Sequence, residues 1–368
     1  MSERYIGLMS GTSMDALDAV LVDLEQDSPK LLASISRPLP DTLREQLLAL
    51  TVPGDNEIER SAQADIALGR FSAQLVKQLL AEAGVEASSI RAIGSHGQTI
   101  RHAPEATPPY TVQIGDGNTL AQLSGITTVC DFRRRDMVAG GQGAPLVPAF
   151  HSALYRRRDI DRVIVNIGGM ANITILPADA SQAVLGFDTG PGNVLMDGWC
   201  QRQRHQAYDD NGDWAASGSP DSELLQRLLA DPYFQRPPPK STGREYFSLA
   251  WLEERLAVPV AAQDLQATLC ELTARTISQA ILAYCPQVGE VIICGGGACN
   301  AQLMRRLAAN LPDIDMHSSA DSGIDPRWME GMAFAWLAQQ TIKGLPGNLP
   351  SVTGAGEAVI LGAIYPGS

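Results

Sequence analysis

The chain has 368 residues, with 28 Lys plus Arg against 41 Asp plus Glu and a formal net charge of −13. So acidic a chain is a poor match for a phosphate backbone or an anionic membrane, and we expect no nucleic-acid and no membrane partner. A hydrophobic content of 45% with 19% charged residues argues against disorder. The length favours two domains or a two-lobed fold. The chain shows no secretory signal or transmembrane run, which predicts a cytoplasmic protein.

The first part of the chain alternates short apolar segments with polar turns. Apolar segments predict three strands, at residues 5–9, 19–22 and 31–35. A roomy turn at 10–15 joins the first two strands. Apolar residues at helical spacing predict a long helix over 57–83, and a short strand is predicted at 90–93. Gly- and Pro-rich sequence with short elements follows to residue 148.

The same order of strand, turn and strand recurs in the second part. Three strands are predicted, at 162–167, 173–176 and 184–187. A further strand at 291–294 precedes a helix, another helix covers 329–340, and the tail at 358–361 is compatible with a strand or a helix. The recurrence predicts two copies of one α/β unit that face each other across a cleft.

Glycine-rich turns follow apolar strands at three places: Gly11–Asp15, Asp188–Asn193 and Gly295–Asn300. Glycine lets such a turn present several backbone N–H groups to an anion, and a following helix adds its positive end. Two of the turns carry Asp, which is typical of polyphosphate sites. On this pattern alone, a phosphate site and simple structural turns remain equally open.

Several other site classes are excluded by their missing patterns. The chain contains no G-x-x-x-x-G-K-[ST] loop, no G-x-G-x-x-G that opens a helix, and no G-x-S-x-G elbow. A Walker-type NTPase, a Rossmann dinucleotide site and a serine hydrolase are therefore not supported. Six cysteines without a C-x-x-C pair and five histidines argue against a disulfide framework or a zinc site.

The opening segment, Ile6–Asp18, strongly resembles the start of the anhydro-N-acetylmuramic acid kinases. Four further segments are similar to that family and occur in its order: Gly94–Thr99, Asp131–Pro148, Phe187–Asn193 and Gly295–Asn300. The resemblance spans essentially the whole chain. The combination of five segments is far more specific than any single turn.

The resemblance implies the fold of the sugar kinase, heat-shock-70 and actin superfamily, an α/β fold of two ribonuclease-H-like lobes with a nucleotide cleft between them. The implied lobes are 1–130 with a return at about 345–368, and 131–344. ATP and Mg²⁺ are the implied cofactors, and a homodimer is implied because family members are commonly dimeric. The implied reaction phosphorylates O6 of 1,6-anhydro-N-acetylmuramic acid and opens its anhydro ring, a step in peptidoglycan recycling.

The family pattern also implies which residues hold the nucleotide, in three elements. The first phosphate element comprises Gly11, Thr12, Ser13, Met14, Asp15, Ala16, Leu17 and Asp18. The second phosphate element contributes Gly190, Gly192 and Asn193, and the adenosine element contributes Gly295, Gly296, Gly297 and Asn300.

Asp188 is the candidate catalytic base, which would take a proton from a water attacking C1 of the sugar. The alternative role is structural, with its carboxylate accepting the N–H groups of Gly190 and Asn193 in a turn. The residues alone favour the structural role. With the resemblance, catalysis is favoured.

The remaining candidates concern the metal and the sugar. Asp15 is compatible with Mg²⁺ binding and equally with an Asx turn. Glu330 is a candidate for the metal or the sugar, although a carboxylate in a first helical turn is ordinary dipole chemistry. Arg133 presents a fork suited to the lactyl carboxylate of the substrate. His96 is a candidate for the wall of the sugar pocket, although a lone His is more often structural.

Two alternative functions remain open at this point. One is a superfamily enzyme that acts on another small molecule. The other is an ATP-binding switch or chaperone-like regulator that modifies no sugar. The segment Asp131–Pro148 favours the kinase, because it resembles the named family rather than the superfamily in general.

Overall fold

The structure is a computed structural model that describes residues 3–11, 14–25 and 29–368. Contacts divide the chain into two compact units. Unit 1 comprises Met1–Leu154 with Trp328–Ser368, and unit 2 comprises Tyr155–Arg327. Within the described residues, no helix is both long enough and apolar enough to cross a membrane.

The elements before unit 2 include the predicted opening strands and the long helix. In chain order they are β1 (Arg4–Ser10), β2 (Ala16–Asp23), β3 (Lys30–Pro38), α1 (Asp41–Ala49), α2 (Glu57–Ala83), β4 (Ile90–Ser95), β5 (Gln98–Ala103), β6 (Tyr110–Ile114), α3 (Gly117–Ser124), β7 (Thr128–Cys130), α4 (Arg134–Val138) and α5 (Val147–Tyr155).

Unit 2 then repeats three strands before it becomes mainly helical. Its elements are β8 (Arg162–Ile167), β9 (Met170–Leu176), β10 (Leu185–Pro191), α6 (Val194–Arg204), α7 (Asp213–Ala216), α8 (Ser222–Leu229), α9 (Pro232–Gln235), α10 (Leu249–Glu253), α11 (Ala262–Tyr284), β11 (Glu290–Cys294), α12 (Ala301–Asn310) and β12 (Asp315–Ser318). The chain ends in unit 1 with α13 (Met329–Ile342), α14 (Pro350–Thr353) and β13 (Ala363–Tyr365).

One sheet order occurs in both units. In the described part of the chain, the six-stranded sheet of unit 1 runs β13-β7-β4-β1-β2-β3 and the five-stranded sheet of unit 2 runs β10-β9-β8-β11-β12, while β5 and β6 pair separately. In each unit the first three strands are antiparallel. The next strand in the sheet, β4 or β11, lies parallel to the first. The predicted duplication of an α/β unit is therefore confirmed.

Helix α13 packs directly on β1 and β4 because two glycines leave room for it. A Cβ on Gly7 would overlap the carbonyl of Gly331, and a Cβ on Gly94 would overlap the carbonyl of Phe334. Strand positions without a side chain permit such close backbone approach. This contact fixes α13 in unit 1.

The boundaries of the compact units differ from those of the predicted lobes, which lie at 130/131 and at about 344/345. Residues 131–154 and 328–344 lie in unit 1. The buried carboxylate of Asp136 explains part of the difference, because it accepts hydrogen bonds from Asn348 and Thr353 at 2.7 Å each. These bonds tie α4 to the C-terminal return, while α13 is held by β1 and β4.

The long helix has the predicted bounds, and the tail does not have the predicted structure. Helix α2 ends at Gly84, whose φ of 63° is the left-handed conformation common after helices. Residues 358–361 form neither a strand nor a helix. The N–H of Val359 donates to the side chain of Asn348, and its carbonyl accepts from Gly347. Pairing with the sheet begins only at β13.

Candidate active site

The second predicted phosphate loop lies where β10 ends and packs on the β8–β9 turn. The N–H groups of Gly192 and Asn193 donate to the carbonyls of Gly169 and Gly168, both at 2.8 Å. A Cβ on Gly192 would overlap Gly168, and Gly190 has a φ of 148°, so both positions require glycine. Helix α6 starts directly after Asn193, and its positive end favours an anion at this loop.

The predicted adenosine turn packs on the end of β8. A Cβ on Gly295, whose φ is 81°, would overlap the Asn166 side chain, and one on Gly297 would overlap Ile167. Gly296, in contrast, faces open space, with no atom within 4 Å of an added Cβ. Asn300 closes the turn, because its Oδ1 accepts the N–H of Leu303 at 3.0 Å and caps α12.

A cavity of about 430 Å³ lies within unit 2 between these two loops. Three predicted nucleotide residues line it, namely Asn193, Gly296 and Asn300. Sequence reasoning missed the remaining lining residues, which are Asp197, Tyr208, Asp209, Asp210, Asn211, Cys299 and Arg327. The polar run at 208–212 was the available signal for part of this wall. A cavity of this size is in the range of small-molecule sites.

Two wall residues show how the cavity is built. The buried carboxylate of Asp209 accepts the N–H groups of Trp214 and Ala215 at 2.9 Å each and the side-chain amide of Gln266 at 3.2 Å. This carboxylate therefore holds the wall together. Of the two cysteines that flank the adenosine turn, Cys294 is buried and Cys299 is exposed and lines the cavity.

Asp188 lies in β10, just before the second phosphate loop, and one segment of unit 2 surrounds it. Its Oδ2 accepts the N–H of Thr242 at 2.9 Å. Its own N–H donates to the carbonyl of Lys240 at 3.1 Å, and its carbonyl accepts the hydroxyl of Tyr233 at 2.8 Å. The N–H of Asn193 donates to Gly168 instead. The alternative in which Asp188 binds that N–H is therefore wrong.

The surroundings of Asp188 change its acidity. Burial raises the pKa of its carboxyl to about 6, although the Thr242 N–H and the Lys240 charge oppose this shift. A carboxylate with a pKa close to neutral is suited to take a proton, because it is ionised near pH 7 and still basic. Lys240 itself is buried, and burial lowers the pKa of its ammonium group.

The first predicted phosphate element is the β1–β2 hairpin of unit 1. Thr12 and Ser13 lie outside the described residues. The N–H of Met14 donates to the carbonyl of Gly11 at 3.1 Å, and the hydroxyl of Ser10 donates to Oε1 of Gln98 at 2.6 Å. The hairpin is therefore tied to the start of β5.

Within this hairpin, the predicted residues differ in what they can offer a ligand. Asp15 is exposed and forms an ion pair with Arg44 at 3.2 Å. Ala16, Leu17 and Asp18 begin β2, where Leu17 and Asp18 pair with Ser10 and Met9 of β1. The Leu17 side chain is buried in the core.

The three predicted sugar residues, His96, Arg133 and Glu330, all lie in unit 1. Nη2 of Arg133 lies 2.8 Å from Nε2 of His96. Burial and the Arg133 charge lower the pKa of His96 to about 3, so the ring is neutral and Nε2 accepts the hydrogen bond. Burial lowers the pKa of Arg133 to about 10, while Glu330 and Asp136 oppose the shift.

Arg133 retains hydrogen-bonding capacity at this cluster. Its Nη1 donates to the carbonyl of Gly143 at 2.8 Å. Its Nε is buried and has no hydrogen-bond partner among the described residues. A half-buried guanidinium with a donor still unused is suited to an anionic group such as a carboxylate. Glu330 follows the first residue of α13, and its charge acts on Arg133.

The structure offers one three-residue cluster of metal-binding type within the described ranges, and it lies apart from the predicted metal residues. This cluster consists of Glu290, Asp315 and His317. Arg162 already pairs with Glu290. Asp15 and Glu330 do not belong to it, so their metal roles stay predictions.

The geometry and the comparisons with known proteins lead to one family. The sheet order shared by both units, the glycine turns at the strand ends and a half-buried carboxyl of raised pKa are an arrangement that suits a small-molecule phosphotransferase. The family model described as anhydro-N-acetylmuramic acid kinase matches residues 3–367. The chain belongs to this family.

Two relatives give the degree of similarity. The anhydro-N-acetylmuramic acid kinase of Coxiella burnetii (strain RSA 493 / Nine Mile phase I) is 53% identical over 364 residues, which cover 99% of this chain and 97% of the relative. The enzyme of the same name from Shewanella amazonensis is 52% identical over 364 residues, which cover 98% of each chain.

Proposed function

We propose that this protein is an ATP-dependent kinase that converts 1,6-anhydro-N-acetylmuramic acid to N-acetylmuramic acid 6-phosphate and opens the anhydro ring in the same reaction. The carrying observation is Asp188, a half-buried carboxyl with a pKa of about 6 beside a glycine-rich loop. We place this reaction in peptidoglycan recycling and amino-sugar catabolism. We expect the enzyme to be a cytoplasmic homodimer.

The nucleotide is bound by the glycine turns. The cavity of unit 2, lined by Asn193, Gly296 and Asn300, accepts the adenosine. Open space at Gly296 supports this assignment, because an adenosine can approach the backbone there. Phosphate binds beside the loop at Gly190–Asn193, where the positive N-terminal end of α6 attracts it. The hairpin at 11–18 supplies the other phosphate contacts.

The sugar is bound by the cluster of unit 1. Arg133 binds the lactyl carboxylate, with its free Nε and its two-pronged geometry supporting that role. Neutral His96 orients the guanidinium by accepting one of its N–H groups. Glu330 accepts a hydroxyl or amide hydrogen of the sugar, and its charge stabilises Arg133.

The reaction couples hydrolysis of the ring to phosphoryl transfer. Asp188 takes a proton from a water whose oxygen attacks C1, and the bond between C1 and O6 breaks as the new C1–O bond forms. The O6 oxygen then attacks the γ-phosphorus, and the bond to the β-phosphate oxygen breaks to release ADP. Phosphoryl transfer needs positioning and charge neutralisation rather than a strong nucleophile. The proton held by Asp188 returns to solvent after product leaves.

Magnesium fits the carboxylates of this chain only in part. The exposed carboxylate of Asp15 satisfies the preference of Mg²⁺ for a few protein oxygens with waters and phosphates completing the shell. When bound, Mg²⁺ would neutralise charge on the triphosphate. Asp15 would hold it directly or through water, and Arg44 would orient that carboxylate.

The test is ADP release from Mg·ATP with four acceptors: 1,6-anhydro-N-acetylmuramic acid, N-acetylmuramic acid, N-acetylglucosamine and no sugar. We expect release only with the anhydro sugar, together with a 6-phosphorylated product whose ring is open. Release with another acceptor would reassign the substrate. Nucleotide binding without sugar-dependent release would replace the kinase with a nucleotide-driven switch.

A further inference from the structure

We propose that the segment 233–242, which we call the strap, is a positioning element for Asp188, and that Lys240 is the residue that locks it. This inference rests on the proposed role of Asp188 as the catalytic base. It assigns positioning roles to Tyr233 and Lys240, neither of which touches the reacting atoms.

The strap holds three different groups of Asp188. The Tyr233 hydroxyl donates to its carbonyl, the Lys240 carbonyl accepts from its N–H, and the Thr242 N–H donates to its Oδ2. Among the strands of the described residues, β10 is the edge of its sheet, so its outer side has no neighbouring strand to bind. Its pairing with β9 also shifts register between Asp188 and Gly190. The strap therefore supplies the backbone bonds that an edge strand lacks at this point.

Lys240 closes the strap on itself. Its buried ammonium group donates to the carbonyls of Tyr233 and Phe234 at 3.3 and 3.4 Å. It also lies 4.8 Å from the centre of the Tyr233 ring, within cation–π range. A buried ammonium is unfavourable unless its donors are used, so these contacts keep the two ends of the strap together. The Phe234 ring in turn packs on Gly190 in the phosphate loop.

The start of the strap is anchored by a buried carboxylate. Asp231 accepts the N–H of Tyr233, the hydroxyl of Tyr246, the indole N–H of Trp251 and Nη2 of Arg255, all at 2.8–2.9 Å. These bonds fix the Tyr233 ring in the position from which its hydroxyl donates to Asp188. The anchor explains how a loop can hold a catalytic group with little freedom.

The charge on Lys240 is the second means by which the strap acts on Asp188. Strand β9 and helix α9 carry no ionisable acid or base other than Tyr233. Helix α11, which also packs on β10, carries Asp264, Glu271 and Arg275, and Glu271 is paired with Arg275 and Arg306. The Lys240 cation is therefore the charged side chain that holds down the pKa of Asp188 against burial.

The experiment measures turnover and KM for ATP across pH for Lys240→Met, Lys240→Arg and Tyr233→Phe, with Lys77→Met and Tyr110→Phe as matched exposed controls in unit 1. We expect Lys240→Met to lower kcat on the order of 10- to 100-fold, because misplacement of a base costs about this much. KM for ATP should change less than about threefold. The acidic limb of the kcat–pH profile should move to higher pH, and Lys240→Arg should return it towards the wild-type position. Tyr233→Phe should lower kcat without moving the limb.

A second readout does not depend on catalysis. The pH dependence of Tm is measured for the wild type and for each variant, and again after Asp188→Asn is added to each of them. The difference between the two curves reports the pKa of Asp188 in the folded protein. We expect Lys240→Met to raise it. An unmoved acidic limb together with an unmoved pKa would overturn the strap proposal. Full turnover of Asp188→Asn would instead remove the base role from Asp188, on which this inference rests, while the stability readout would still decide whether Lys240 acts on Asp188.

Discussion

The two units share a sheet order and differ in what they place at the strand ends. Unit 2 presents backbone there: the turn at Gly168–Gly169 packs on the loop at 190–194, and Gly296 opens to a cavity. Unit 1 presents side chains: Ser10 binds Gln98, and His96 binds Arg133. The positive end of α6, which starts directly after the phosphate loop of unit 2, suits phosphate. Side chains suit a sugar, whose groups differ in position and charge.

The difference also sets the chemistry at the third strand of each sheet. Strand β10 carries the half-buried Asp188 within the strand, whereas β3 carries no Asp or Glu and the exposed Asp41 follows it only at the start of α1. The third strand therefore holds a carboxyl of raised pKa in unit 2 and none in unit 1. The duplicated sheet supplies the same frame in both units, and the residues placed on it differ.

Removing the carboxylate of Asp188 in unit 2 should have the largest effect. Asp188→Asn should lower kcat by roughly 10²- to 10⁴-fold, the usual contribution of a general base, while ATP affinity is retained. Steady-state kinetics with the anhydro sugar and calorimetric titration with ATP measure the two effects. Asp41→Asn, at the exposed carboxylate that follows the third strand of unit 1, should leave turnover unchanged. Equal losses in both variants would remove the functional contrast between the third strands.

The side-chain site of unit 1 is tested by Arg133→Lys. Lysine keeps the charge and loses the fork, so the KM for the sugar should rise on the order of 10-fold or more, while the KM for ATP stays within about twofold. Arg134→Lys, at an exposed neighbour, is the control. A rise in the KM for ATP instead would show that Arg133 serves the nucleotide.

The backbone site of unit 2 is tested by two adjacent glycines. Gly296→Ala faces open space and should leave Tm nearly unchanged while it weakens ATP binding by about 10-fold, because the new methyl occupies the nucleotide cavity. Gly297→Ala overlaps Ile167 and should destabilise the fold by roughly 1–3 kcal/mol. Thermal melts and ATP titration separate the two. ATP binding unaffected by Gly296→Ala would contradict the assignment of the cavity.

Much of the fold follows from local patterns in the sequence. The duplicated strands and the helix at 57–83 follow from apolar periodicity, which depends on neighbouring residues alone. The position of α13 does not, because it depends on Gly7 and Gly94, far away in the chain, leaving room for two carbonyls. The place of residues 131–154 in unit 1 does not follow from local patterns either, since the bonds from Asn348 and Thr353 to Asp136 have no local signature.

The site was predictable where function depends on glycine and less so where it depends on tertiary hydrogen bonds. Asp188 and the glycine turns form compact motifs, so the sequence indicated them. Tyr233 contacts Asp188 through its hydroxyl and Lys240 through its backbone carbonyl. Both residues lie more than 40 positions from Asp188 in the chain, so no sequence-spacing rule predicts these contacts. The triple proline before Lys240 marked a rigid loop but not its target.

The smallest expected effect is on the pH dependence of stability, where ionisable groups of unit 2 and unit 1 should act in opposite directions. The Asp188 carboxyl has a folded pKa of about 6, above its ordinary value of 3.8, so its ionisation weakens the fold as pH rises through this window. Asp188→Asn should therefore raise Tm by on the order of 2–4 °C at pH 8 and by nothing below pH 3.8.

Unit 1 should respond in the opposite direction. Burial lowers the pKa of His151 to about 3 from 6.5, so the unfolded chain binds the additional proton and stability falls as pH drops below 6.5. His96 shares this shift and adds to the loss. His151→Gln should reduce the fall in Tm between pH 7 and pH 5, with exposed His205→Gln as the control. An identical pH slope in His151→Gln and wild type would mean that the imidazole of His151 is already solvated, and the contrast between the two units would then rest on Asp188 and His96 alone.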